Sequence, residues 1–189
     1  MSYYSKIMEN INIVDRFILL LAGSKQSAPI PGPIHLQKEM FLLERVFPEL
    51  EQETDFEPYF LGPHSEIVQN ETDELRRSGL LRIDKDGIQL SEEGKTIYRE
   101  LATTASEVEL SKIAEFKEFL NDLSKDELLA FVYFSDLTDE NVESESIEYS
   151  DLLGKRKRLA MSLFAKGKVS AQKAAQIAGE DIQDFMSRV

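Results

Sequence analysis

The chain has 189 residues, with 22 Lys+Arg against 35 Asp+Glu, two His, no Cys and no Trp, which excludes a zinc finger, a thiol nucleophile and a disulfide scaffold. At 42% hydrophobic and 30% charged it can bury one sizeable core, or a domain with an appendage, while its net charge of −13 opposes non-specific nucleic-acid binding by the body as a whole. The apolar run Phe17 to Ala22 falls far short of the ~20 residues of a membrane span, and residues 1–10 lack a signal peptide's basic start and apolar middle, so no membrane partner and a cytoplasmic location are expected.

In chain order, Ile11, Val14, Phe17, Ile18 and Leu21 recur at helical spacing over Asn10 to Ala22, with Gly23 as the stop. The proline-rich Ser24 to Pro33 cannot continue a helix, and Leu36, Met40, Leu43 and Phe47 resume the period over His35 to Phe47. Phe56, Tyr59 and Phe60 lie in an extended or irregular segment closed by a turn at Gly62-Pro63. A third helix follows from Ser65 to Ser78 with the narrow stripe Val68, Thr72, Leu75, and Gly79 stops it. Leu81 and Ile83 are answered by Ile88 and Leu90 across Asp84-Lys85-Asp86-Gly87, the pattern of a hairpin with one apolar face. Ser91 can cap the next helix, through Ile97, Tyr98 and Leu101. Three helices, a two-stranded hairpin and a helix, in that order, predict a winged helix.

Two further helices open on capping-box patterns, Ser106 to Glu109 and Ser124 to Glu127, the second leading into the apolar Leu128 to Phe134. Ser135 to Tyr149 is acidic and poor in apolar residues, which predicts a solvated linker and a domain boundary near Leu153. Charge changes sign there: residues 106–154 carry 3 Lys+Arg against 14 Asp+Glu, whereas 155–189 carry 8 against 3, a net of +5. In this tail Ser170 can cap a helix, and Ala175 and Gly179 are spaced as a helix-turn-helix requires, with Ile182 and Phe185 on the second helix's inward face. The expected fold class is mainly α with a small β-hairpin: a winged helix-turn-helix domain over 1–150 and a helix-turn-helix tail over 151–189.

Leu36 to Leu43, Phe60-Leu61-Gly62-Pro63-His64-Ser65, Gly79-Leu80-Leu81, Leu90 to Lys95 and Leu123 to Leu129 with Val132-Tyr133 together resemble the signature of YwgA-like winged-helix proteins and, more distantly, the Panacea antitoxin domain. Phe134-Ser135-Asp136 departs from the Tyr-Pro pair of that pattern. The tail's Ala165 to Ser170 and Ala174 to Gly179 are similar to small helix-turn-helix proteins counted among VapB-like antitoxins. These resemblances imply a regulator of its own operon or a segment that neutralises a toxin.

The functional expectation is a DNA-associated transcriptional regulator of antitoxin type, acting as a homodimer because such proteins read paired half-sites. Lys155, Arg156, Lys157, Arg158, Lys166, Lys168 and Lys173 would hold phosphates while Gln183 and Arg188 reach bases, and Gln69, Asn70, Arg76 and Arg77 form the corresponding face of the third helix. The alternative is a protein-interaction module that does not bind DNA and neutralises or adapts a protein partner such as a toxin, favoured by the acids Glu66, Glu71, Asp73, Glu74, Glu180, Asp181 and Asp184 on the same helices. No phosphate loop or dinucleotide fingerprint is present, Glu92 and Glu93 read as a solvated helix start, and His35 and His64 as turn or cap residues, so neither an enzyme nor a cofactor is expected. The tail holds too few residues for a core of its own. Leu159, Leu163, Phe164, Ile177, Ile182 and Phe185 are therefore expected to pack either on the winged-helix body or on a symmetry mate's tail, with the positive charge facing the acidic segment 106–154.

Overall fold

The computed structural model describes residues 3–135, 137 and 147–189, and the protein is mainly helical with a two-stranded antiparallel hairpin. It forms two compact units, Met1–Phe56 with Ser65–Asn121, and Glu57–His64 with Asp122–Val189.

In the first unit α1 (Tyr3–Asn10) precedes α2 (Ile13–Ser27), which starts on a full capping box: the Asn12 side chain accepts from the Asp15 N–H, and the Asp15 carboxylate accepts from the Asn12 N–H. Its residues Phe17 to Ala22 are buried around the whole circumference rather than along one stripe. The helix is the axle of the unit, packed by α4 (Pro48–Thr54), α5 (Glu66–Arg77), α6 (Glu92–Thr104), α7 (Glu107–Asn121) and the second hairpin strand. Regular helix ends at Gly23 as the sequence predicts; Lys25, Gln26 and Ser27 then take left-handed backbone with φ of 50°, 59° and 59°. Pro33 opens α3 (Pro33–Glu44) at its first turn, where the missing N–H costs nothing. The helix α4 carries one buried apolar side chain, Leu50, too weak a pattern to be read from sequence.

Ser65 caps α5, and Gln37 of α3 brackets the cap by donating to the Ser65 carbonyl (3.0 Å) and accepting from its N–H (2.9 Å). The hairpin pairs β1 (Leu81–Asp84) with β2 (Gly87–Leu90) in the register Leu81 to Leu90 and Ile83 to Ile88, so the apolar residues do share a face. Ile30 extends it by exchanging two backbone bonds with Ile88 (3.0 and 2.8 Å). Gly87, at φ 109°, has no room for a Cβ beside the Ile30 carbonyl, which is why glycine closes this turn. Ser91 caps α6 as expected. Ser106 does accept from the Glu109 N–H at the start of α7, but the Glu109 carboxylate forms a two-pronged ion pair with Arg16 of α2. A long-range cation has taken the group that the local pattern assigned to the cap.

The second unit contains α8 (Lys125–Phe134), α9 (Ile147–Ala165), α10 (Ala171–Ala178) and α11 (Ile182–Met186). The capping box at Ser124 and Glu127 is complete. Asp136, Asp139, Glu140, Glu143 and Glu145 of the expected linker lie outside the described residues. From Ile147 onward, however, the chain is helical, because Tyr149 packs its ring against Tyr133 and Phe134 (centroids 5.4 and 5.9 Å) and Leu152 is buried. The boundary expected near Leu153 thus falls inside α9. The tail finds the apolar surface it lacks within its own unit: α9 and α10 pack on α8, α11 packs on α10, and Leu159, Leu163, Ala174, Ile177 and Phe185 are buried, as are Leu128, Leu129 and Val132 of α8. Phe164 stands edge-on to Phe185 at 5.6 Å. Ile182 departs from expectation and is exposed, since Phe185 alone fills the inward side of so short a helix.

No helix among the described residues is long and apolar enough to cross a membrane.

Candidate functional site

The helices α10 and α11 meet at Gly179, whose left-handed φ of 71° lets its N–H bond to the Gln176 carbonyl (3.0 Å) while the Glu180 N–H reaches the Ala175 carbonyl (3.1 Å). This is a Schellman closure, which satisfies two of the four carbonyls a helix end leaves open. Arg156 of α9 satisfies more, its Nε donating to the Ile177 carbonyl (2.7 Å) and one terminal nitrogen to Gln176 (3.2 Å), with the guanidinium 4.4 Å above the Phe134 ring. Burial lowers the Arg156 pKa from its usual value. Arg156 therefore serves as the C-terminal clasp of α10.

Lys155, Lys157, Lys166, Lys168, Lys173 and Arg188 are also engaged within the unit. Lys166 pairs with Glu127 at 2.8 Å and donates to the Asp122 carbonyl at 3.0 Å, and Lys168 pairs with Asp122 at 3.1 Å. Lys155 pairs with Asp126 (3.3 Å) and with Asp151. Lys173 donates to the Gln176 side chain (2.7 Å) and the Ser135 carbonyl (3.3 Å). Lys157 meets Glu180 at 3.1 Å, and Arg188 grips the same carboxylate with both terminal nitrogens. Glu127 is the hub: burial alone would raise its pKa, but hydrogen bonds from Lys166, Ser162 and the Ser124 N–H hold it down at about 2. The tail's charge thus faces Asp122, Asp126 and Glu127, as expected.

Arg158 and Gln183 are exposed. On α5, in the first unit, Gln69 and Asn70 are exposed, while Arg76 and Arg77 pair with Asp73 (3.4 Å) and Glu74 (3.0 Å) one turn before them. His35 is buried at the start of α3, and His64 lies 5.0 Å from the Tyr59 ring. Among the described residues no group of three or more His, Asp or Glu side chains is arranged to hold a metal ion.

Two features were not anticipated from the sequence. The last helix and its extension present an apolar stripe, Ile182, Met186 and Val189, exposed by 42%, 45% and 63%; its three-to-four-residue spacing is a signal the sequence does contain. In the first unit Glu39 and Lys117 are fully buried. Lys117 donates to the Ala22 and Ser24 carbonyls (3.0 and 3.1 Å), whereas neither Glu39 oxygen has a hydrogen-bond partner among the described residues. Burial lowers the Lys117 pKa to about 8, against the opposing charge of Glu39, and raises that of Glu39 well above its usual value, against the charge of Lys117. These carbonyls end α2 where its backbone turns left-handed, so Lys117 is a structural clasp there.

No family model, no curated protein and no solved structure matches this chain. Fold and site are those of a mainly helical protein whose tail packs on α8.

Proposed function

We propose that this chain is a protein-binding module of the antitoxin type, in which the helix-turn-helix formed by α10 and α11 docks on a protein partner. The observation that carries this is the outward face of α11. Where a DNA reader would offer cations and amides, this face offers Ile182, Met186 and Val189, flanked by Asp181 and Asp184. An apolar centre with a polar rim is the chemistry of a protein interface, and carboxylates beside it repel phosphates. The ion pairs that occupy Lys155, Lys157, Lys166, Lys168 and Arg188 add to the case, because a phosphate would have to displace a carboxylate already held. The winged-helix reading of the first unit and the resemblance to antitoxin domains supply the functional class.

The test is capture with the tagged full-length chain, nuclease treatment, and reconstitution from the purified partner. A single stoichiometric protein that binds the wild type and is lost from Ile182→Asp/Met186→Asp supports the proposal. Binding unaffected by that double variant overturns it.

A second reading, a DNA-associated regulator acting as a homodimer, is favoured by the Schellman turn at Gly179 and by exposed Arg158 and Gln183. It requires salt-sensitive gel-shift binding to the upstream DNA that Arg158→Ala/Gln183→Ala weakens. Complete absence of such binding at micromolar protein rejects it.

A further inference from the structure

The first unit carries a pocket of about 440 Å³ whose lining runs against the composition of the chain. In a protein of net charge −13 it is lined by Arg82, Lys95 and Arg99 together with the amides of Gln26 and Gln89 and, among the described residues, by no carboxylate. Its walls are set by backbone geometry. Arg82 and Gln89 are cross-strand partners, so both project from one face of the hairpin. Lys95 and Arg99 are four residues apart and share a face of α6. The Tyr98 ring lies on Gly23 so closely that a Cβ there would overlap it, and Gly94 brings α6 against the Leu80 carbonyl in the same way. Two close approaches that only glycine permits therefore hold α6 against α2 and against the hairpin.

The three cations also converge electrically. Glu92, at the start of α6, has its pKa lowered by the hydrogen bond and charge of Lys95 (Nζ to Oε1 2.6 Å), and further by Arg99 and Arg82. A carboxylate outside the pocket is thus already used as a partial counter-anion by the cations that line it.

We propose that this pocket binds a phosphate monoester of nucleotide size, with the phosphate held by Arg82, Lys95 and Arg99 and the remainder seated among Tyr98, Gln26 and Gln89. Guanidinium groups bind phosphate oxygens in pairs and add geometric as well as charge selectivity. The volume lies in the range of small-molecule pockets. A polyanion is the poorer occupant, because the hairpin turn carries Asp84 and Asp86 and the first turn of α6 carries Glu92 and Glu93, so a strand of phosphates laid along the hairpin would meet carboxylates.

The experiment is calorimetric titration of the full chain at low salt with adenosine monophosphate, inorganic phosphate, adenosine and a short DNA duplex. Adenosine monophosphate is expected to bind, with adenosine weaker by about tenfold or more for want of the phosphate. Arg82→Ala/Arg99→Ala, at exposed positions, should weaken the nucleotide by about tenfold or more with an unchanged far-ultraviolet circular dichroism spectrum. Glu92→Gln should tighten it severalfold by removing the internal competitor. Lack of binding by both phosphate-bearing probes at millimolar concentration overturns the proposal, as does equal affinity in the double arginine variant. Duplex binding that the nucleotide does not displace and the arginine variant abolishes overturns it in favour of a nucleic-acid contact.

Discussion

Replacing Gly179 by Ala tests the joint on which the tail depends. The substitution has two separable costs. Alanine at φ 71° pays the left-handed penalty of about 1 kcal/mol. Its Cβ would also stand 2.6 Å from the Arg156 Cζ, so the guanidinium must leave. That removes two hydrogen bonds to the end of α10 and the stacking on Phe134. Because Arg156 is half-buried and regains water when displaced, these together contribute about 1–2 kcal/mol rather than the full value for buried charged bonds. The expected total is about 2–3 kcal/mol. Urea-dependent hydrogen exchange at the α10 amides measures it, since those amides report the second unit separately from the first. The decisive arm is a double-mutant cycle. In an Arg156→Ala background the clash is gone, so Gly179→Ala should cost only the backbone penalty, leaving a coupling of about 1 kcal/mol or more. Equal costs in the two backgrounds would refute the clasp assigned to Arg156.

Gly154 provides the opposite sign: it lies within α9 at negative φ with open space around its Cβ position, so Gly154→Ala should stabilise the second unit by about 0.5–1 kcal/mol in the same exchange measurement. Burial pushes the Asp15 carboxyl up to about 7 from 3.8, against the Asn12 N–H and with Glu71 and Glu74 adding to the push. The folded state therefore holds a proton that the unfolded state releases, stability contributed by this group falls as pH rises through that window, and Asp15→Asn should flatten the fall in urea midpoint between acid and neutral pH. Glu127 titrates the other way. With its pKa depressed from 4.5 to about 2, its contribution is present above 4.5 and lost as pH falls toward 2. Glu127→Gln should consequently destabilise the second unit at neutral pH by about 1–2 kcal/mol and match the wild type at pH near 2.

What could be read from the sequence was local. Ser91, Ser124 and Ser170 all cap helices because the cap is decided within four residues, and the hairpin register follows from strict alternation across a short turn. What could not be read was decided by residues far apart in sequence. The Glu109 carboxylate goes to Arg16, 93 positions away, and no periodicity encodes that choice. Lys38 and Glu39 sit at positions that look polar and outward, yet α3 is enclosed on several sides and both are buried. The close approach of Tyr98 to Gly23 likewise needs two helices to be in place before the glycine acquires its meaning.

The same distinction governs the tail's charge, on which the choice between nucleic acid and protein turns. Counted from Lys155 onward the tail carries 8 Lys+Arg against 3 Asp+Glu, a net of +5, but that count leaves out the carboxylates that precede Lys155 in the same unit. A phosphate approaching within a Debye length of about 8 Å meets the folded neighbourhood and not the sequence segment. That neighbourhood holds Asp122, Asp126 and Glu127 at ion-pair distance from Lys168, Lys155 and Lys166. Binding a phosphate there would require breaking a pair and leaving Glu127, nearly buried and held at a pKa of about 2, without its cation. Removing one partner from such a pair costs more than the pair itself contributes. Most of the tail's cations are thus paired on folding, and beside the exposed Arg158 and Gln183 the tail turns outward the apolar stripe of Ile182, Met186 and Val189.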